Sequence, residues 1–77
     1  MDTWKDIAIL VVQIMDFIQF RYGQGIQLVI GIWDETVPTY YAVVQNVQEN
    51  NILFGESSYG SDTIYEALDA VYKEINS

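Results

Sequence analysis

The chain predicts an α+β fold in the order α-β-β-β-α, a three-stranded antiparallel meander sheet packed by two helices. Apolar residues recur with a helical period over residues 3–22. From Ile26 to Trp33 they alternate with a period of two, and Ile64, Leu68, Val71 and Ile75 fall on one helical stripe. The connections between these segments are short, which favours antiparallel neighbours. With 77 residues and no linker, repeat or low-complexity tract, residues 1–77 are read as a single domain.

The first helix is expected from about Thr3 to Tyr22. Asp2 or Thr3 can cap it, and Asp2 and Asp6 suit the positive end of its dipole. On a wheel of about 100° per residue, Asp2, Lys5, Asp6, Gln13, Asp16 and Gln19 share one side. Trp4, Ile7, Ala8, Leu10, Val11, Ile14, Met15, Phe17 and Ile18 fill the other half. Ile9, Val12 and Phe20 intrude on the polar side, more apolar surface than one sheet face requires, so these three are read as candidate self-association residues. Arg21 suits the last turn, and Gly23 stops the helix.

In the first strand Ile26, Leu28, Ile30 and Ile32 line one face, and Gln27, Val29, Gly31 and Trp33 the other. Asp34-Glu35-Thr36-Val37-Pro38 is a polar connection, with Pro38, which lacks a donor, at the mouth of the next strand. Thr39 to Val47 is the second strand, presenting Tyr40, Ala42 and Val44 on one face and Tyr41, Val43 and Val47 on the other. Gln48-Glu49-Asn50 turns the chain into a short third strand, Asn51-Ile52-Leu53-Phe54, ending at Gly55. If both helices share one sheet face, the other carries Gln27, Val29, Trp33 and alternate tyrosines, an aromatic face open to a ligand.

Glu56 to Gly60 reads as a loop. The second helix is expected from about Asp62 to Ile75. Thr63 and Glu66 have capping-box spacing, with Ser61 and Asp62 as alternative caps. Opposite its apolar stripe lie Asp62, Glu66 and Asp69, with Lys73 closing the row, and Tyr65 and Tyr72 occupy one shoulder.

Composition restricts the chemistry. Eleven carboxylates face three basic residues, a formal net charge of −8, and histidine and cysteine are absent. The chain therefore has no disulfide and lacks the nitrogen and sulfur ligands of a structural zinc. Nucleophilic catalysis would have to use Lys5 or Lys73 as base. Asp34 and Glu35 point apart on an extended backbone, and Asp62, Glu66 and Asp69 lie on a solvated stripe without an apolar pocket to raise a pKa. The acids lack the spacing of a calcium-binding loop. Gly23-Gln24-Gly25 follows a helix instead of opening one, so it is no phosphate loop. The expectation is a non-enzymatic protein without cofactor, metal or catalytic residues.

Strong negative charge disfavours direct contact with nucleic acid or anionic membrane and steers toward basic partners. The apolar stretch Ile7–Phe20 is too short for a membrane span and is interrupted by Gln13, Asp16 and Gln19. No signal peptide is read at the start, and a soluble cytoplasmic protein is expected. Tyrosine among carboxylates describes a protein-recognition surface, so Asp62, Glu66, Asp69, Tyr59, Tyr65 and Tyr72 are the candidate partner-binding residues. Carboxylates spaced along a rigid helix can imitate a row of phosphates for arginine and lysine on a target. In size, charge and architecture the chain resembles phage or mobile-element inhibitors of host defence, anti-CRISPR proteins among them, and bacterial immunity proteins. That resemblance implies docking on a basic, nucleic-acid-binding surface and supplies no site residues. The alternative reading is a homodimeric structural or regulatory subunit.

Overall fold

A reciprocal cap fixes where the first helix begins. The structure, a computed structural model, describes residues 3–34 and 36–77, with Trp33 described by its backbone alone. The Thr3 hydroxyl accepts from the Asp6 amide at 3.3 Å, and the Asp6 carboxylate accepts from the Thr3 amide at 3.1 Å. Helix α1 then runs Trp4–Arg21. It ends where Gly23, at φ +77°, turns left-handed and donates to the Ile18 carbonyl at 3.2 Å. Asp2 as an alternative cap, the side chain of Trp33 on the outer sheet face and Glu35 in the first connection lie outside the described residues.

Strands β1 (Ile26–Asp34), β2 (Thr39–Asn46) and β3 (Asn51–Phe54) form an antiparallel sheet in the order β1-β2-β3. The expected meander is what forms, with β2 one residue shorter than the pattern suggested. The Asp34 carboxylate accepts from the Thr36 amide at 2.8 Å in the first turn. In the second turn the Asn46 side chain accepts from the Glu49 amide, and Asn50 takes the left-handed conformation that asparagine tolerates. A register shift in β3 sets Val44 opposite Phe54 but Gln45 opposite Ile52. This bulge lets the consecutive residues Leu53 and Phe54 both reach the core.

After β3 the chain makes a 3₁₀ turn, Glu56–Ser58, inside what the sequence reads as a loop. Helix α2 follows, Ile64–Ile75, capped by Thr63, whose hydroxyl accepts from the Glu66 amide at 3.0 Å. Glu66 does not complete the box by returning to Thr63; its carboxylate accepts from the Asp62 amide at 3.1 Å. Asp62 therefore lies just before the helix.

Both helices cover the same sheet face. Leu10, Ile14 and Ile18 of α1, Ala42 and Val44 of β2, and Ala67, Leu68 and Val71 of α2 form the buried core, flanked by Ile26 and Leu28. The even-numbered residues of β1 share one face, as their alternation predicts, but cover reaches only half of it. Ile30 and Ile32 remain 40% and 59% exposed. Trp4, on the apolar half of the α1 wheel, is 79% exposed, and Ala8 is exposed as well. Ile7 in the same turns packs against the core, so Trp4 and Ala8 lie on a flank of the helix that the core does not cover.

One edge of β2 is closed by side chain and loop. Beyond Phe54, β3 leaves the sheet through Gly55, at φ +105°. Its Cα lies so close to β2 that a Cβ there would meet the Ala42 carbonyl oxygen and come within 2.8 Å of the Val43 Cα. The Ser58 hydroxyl, fully buried, then does for Ala42 what a neighbouring strand would do. It accepts from the Ala42 amide at 2.9 Å and lies 2.7 Å from the Ala42 carbonyl and 2.6 Å from that of Gly55, which share its single hydrogen. Ser61 restores backbone pairing by exchanging hydrogen bonds with Tyr40 at 2.8 and 3.2 Å.

Candidate functional site

The six expected partner-binding residues divide among four places. Glu66 and Asp69 line an open hollow between α2 and the 3₁₀ turn, together with Ser57, Lys73 and Glu74. Asp62 and Tyr65 line a second hollow, beside Trp4, Ile7, Tyr40 and Ile64. Tyr59 lies on the opposite sheet face, its ring stacked on Tyr41 with centroids 5.0 Å apart. Tyr72, like Tyr65, is half-buried against the core. Glu66 and Asp69 share one hollow with Lys73, but Asp62 precedes the helix and lines the second hollow, and the tyrosines do not flank the acids as one surface.

The carboxylates of the first hollow also have internal contacts. Asp69 pairs with Lys73 at 2.9 Å across one helical turn. That hydrogen bond, followed by the carboxylate's charge, raises the pKa of the Lys73 ammonium above its ordinary value. The ammonium is largely in water, so the pair is screened by salt. Glu74 accepts from the Gly55 amide at 2.7 Å and from the Ser57 hydroxyl at 3.1 Å, tying the end of α2 to the start of the 3₁₀ turn. Glu66, Asp69 and Glu74 thus line a groove open to solvent together with Lys73, whose ammonium pairs with Asp69. Sequence reasoning passed over Glu74, which the stripe pattern places merely beside the row. Its spacing of one helical turn from Ala70 carries no sign of a partner 19 residues away.

The outer sheet face is partly closed by its own aromatics. A Cβ at Gly31 would lie 2.6 Å from the Tyr41 ring, so the ring crosses the strand where a side chain is missing. Val43 is buried beside it. The expected open aromatic face is not what forms at this stack.

Among the candidate self-association residues, Ile9, Val12 and Phe20 are all exposed, Phe20 to 95%. Ile9 and Val12 line a shallow patch with Lys5, Ala8 and Gln13, while Phe20 lies with Asp16, Phe17 and Gln19. Among the described residues no group of histidine, cysteine, aspartate or glutamate is placed to hold a metal ion, and no helix is long and apolar enough to cross a membrane. Comparison with protein-family models, with curated proteins and with solved structures finds no match to this chain.

Proposed function

We propose that this chain is a non-enzymatic interaction module that docks its acidic side onto a basic surface of a target protein. The reading rests chiefly on the hollow between α2 and the 3₁₀ turn, which Glu66, Asp69 and Glu74 line with Lys73 as its single cation. A guanidinium from a target would meet carboxylates held on a rigid helix, the arrangement that favours bidentate contacts. Asp62, just before the helix, adds a further carboxylate at the neighbouring hollow. The function that follows is inhibition: a basic surface built for nucleic acid is occupied by an acidic protein.

The test captures partners on the tagged protein from a lysate treated with nuclease and elutes them between about 50 and 500 mM salt. A stoichiometric basic protein is expected to elute at moderate salt and to be lost when Asp62→Lys and Glu66→Lys are combined. Retention by the folded double variant, or elution indifferent to salt, would defeat the reading.

A second reading is favoured by the exposure of Ile9, Val12 and Phe20 on α1. Here the chain is a subunit that self-associates through that helix, and Ile9→Glu or Phe20→Glu yields a folded monomer.

A further inference from the structure

The two edges of the sheet are treated differently. The β3 side of β2 is covered by a four-residue strand, then by Ser58 and Ser61. The other edge is β1 itself, nine residues long and last in the sheet order. Its outward groups follow from the hydrogen-bond phase. Val47 donates to the Gly25 carbonyl at 3.0 Å, so Gly25 and Val47 form a bonded pair. Bonded and non-bonded pairs alternate along an antiparallel ladder. Gln27, Val29 and Gly31 therefore bond to β2, and Ile26, Leu28, Ile30 and Ile32 aim their N–H and C=O groups away from it. The far side of β2 agrees: Tyr40 and Ala42, opposite Ile32 and Ile30, bond outward to Ser61 and Ser58. Among the described residues no hydrogen bond reaches the outer edge of β1.

This edge lacks the devices that usually block pairing. Residues 22–33 contain no lysine, arginine, aspartate, glutamate or proline. The only register shift, between Ile32 and Asp34, comes at the strand's end. We infer that β1 is a self-pairing edge, and that two copies join antiparallel about a two-fold axis at Val29 into a continuous six-stranded sheet. That register sets Ile26 opposite Ile32 and Leu28 opposite Ile30 of the second copy. It uses all four outward-facing residues of each strand and keeps the helices of both copies on one face. The half-exposed Ile30 and Ile32 then lie beside Leu28 and Ile26 of the second copy, apolar against apolar.

Charge selects a second copy over another occupant. The uncharged run is bounded by Arg21 on one side and Asp34 on the other. Antiparallel pairing brings Asp34 opposite Gln24, at the turn that follows Arg21 of the second copy, twice per dimer. Among the described residues Arg21 has no ion pair within its own chain. The edge is thus self-complementary in sign although the whole protein is strongly acidic. This surface lies apart from the acidic hollow, and the inference does not depend on what that hollow binds.

Sedimentation velocity across about 1–200 µM tests it on the full chain. The expected result is a concentration-dependent species of twice the 8.8 kDa chain mass. Ile30→Pro removes an N–H that β2 does not use, a position where an edge strand tolerates proline. It should give a monomer with unchanged circular dichroism. Should that variant fail to fold, Ile32→Lys, at an exposed site, serves the same purpose. Arg21→Asp should weaken the dimer about two- to fivefold, and adding Asp34→Arg should restore it. A wild-type monomer throughout would overturn the inference. So would a dimer that survives Ile30→Pro and Ile32→Lys but is lost with Ile9→Glu or Phe20→Glu.

Discussion

Replacing Ser58 with alanine tests the most concentrated set of interactions in the fold. The hydroxyl is fully buried, accepts from the Ala42 amide and serves the Ala42 and Gly55 carbonyls with its one hydrogen. Ala42 is itself buried in β2, so water does not replace what alanine removes. One amide then loses its only partner on that side, and a carbonyl loses its donor. At about 1–3 kcal/mol for each orphaned buried group, the loss is about 2–6 kcal/mol. A domain of this size is stable by roughly 4–12 kcal/mol, so the change removes a large share. The assay is urea denaturation followed by circular dichroism at constant m-value, with a drop in Tm of roughly 10–30 °C as the thermal counterpart. A loss below about 0.5 kcal/mol would refute the reasoning, because it would mean that Ala42 finds other partners without the hydroxyl.

Substitutions at three further positions probe the same corner and the outer face. Gly55→Ala combines a positive φ with a collision against the Ala42 carbonyl, and it should cost more than 3 kcal/mol or prevent folding, read by denaturation or soluble yield. Glu74→Ala should cost about 1.5–3 kcal/mol, because the Gly55 amide loses a charged acceptor; Glu74→Gln keeps an acceptor oxygen and should recover part of that loss in the same titration. Gly31→Val should displace the Tyr41 ring from across the strand and separate it from Tyr59, removing near-ultraviolet circular dichroism while the far-ultraviolet spectrum persists.

Periodicity and caps carried most of the fold. Thr3 with Asp6 and Thr63 with Glu66 stand at cap spacing, and both threonines cap their helices. The alternation of Ile26, Leu28, Ile30 and Ile32 fixed a face, and Gly23 and Gly55 marked ends. Periodicity reports which face a residue occupies; it does not report how far the opposing layer extends. Ile30, Ile32 and Trp4 therefore follow the pattern and still remain in solvent. Ser58 and Glu74 were invisible for a different reason. Each acts through a contact 16 or 19 residues away, and a serine in a polar loop looks the same whether or not a strand lies beneath it. The glycine after β3, followed by two serines, was the only local hint of a close approach. In the candidate site the placement of Glu66 and Asp69 on one side of α2 was legible from spacing, whereas that of Asp62, ahead of the helix, was not. The separation of Tyr59 from Tyr65 and Tyr72 was not, because the 3₁₀ turn sends Tyr59 to the other face of the sheet.

Glu74 joins the stability of the closed edge to the chemistry of the acidic hollow. Its carboxylate holds the Gly55 amide and also lines the groove offered to a basic partner. A guanidinium drawing on Glu74 competes with Gly55, whereas one bound at Glu66 and Asp69 leaves the edge intact but competes with Lys73 for Asp69. Whether Glu74 holds the closed edge is read in a double-mutant cycle of Glu74→Gln with Ser58→Ala, whose sites meet at Gly55. Their stability effects should be non-additive in the free protein, since both hold the same segment. Ile30→Pro, on the opposite edge, shares no partner with either and should add independently. Additivity between Glu74 and Ser58 would break the link drawn here between the hollow and the sheet edge, leaving Glu74 as a surface charge with a convenient neighbour.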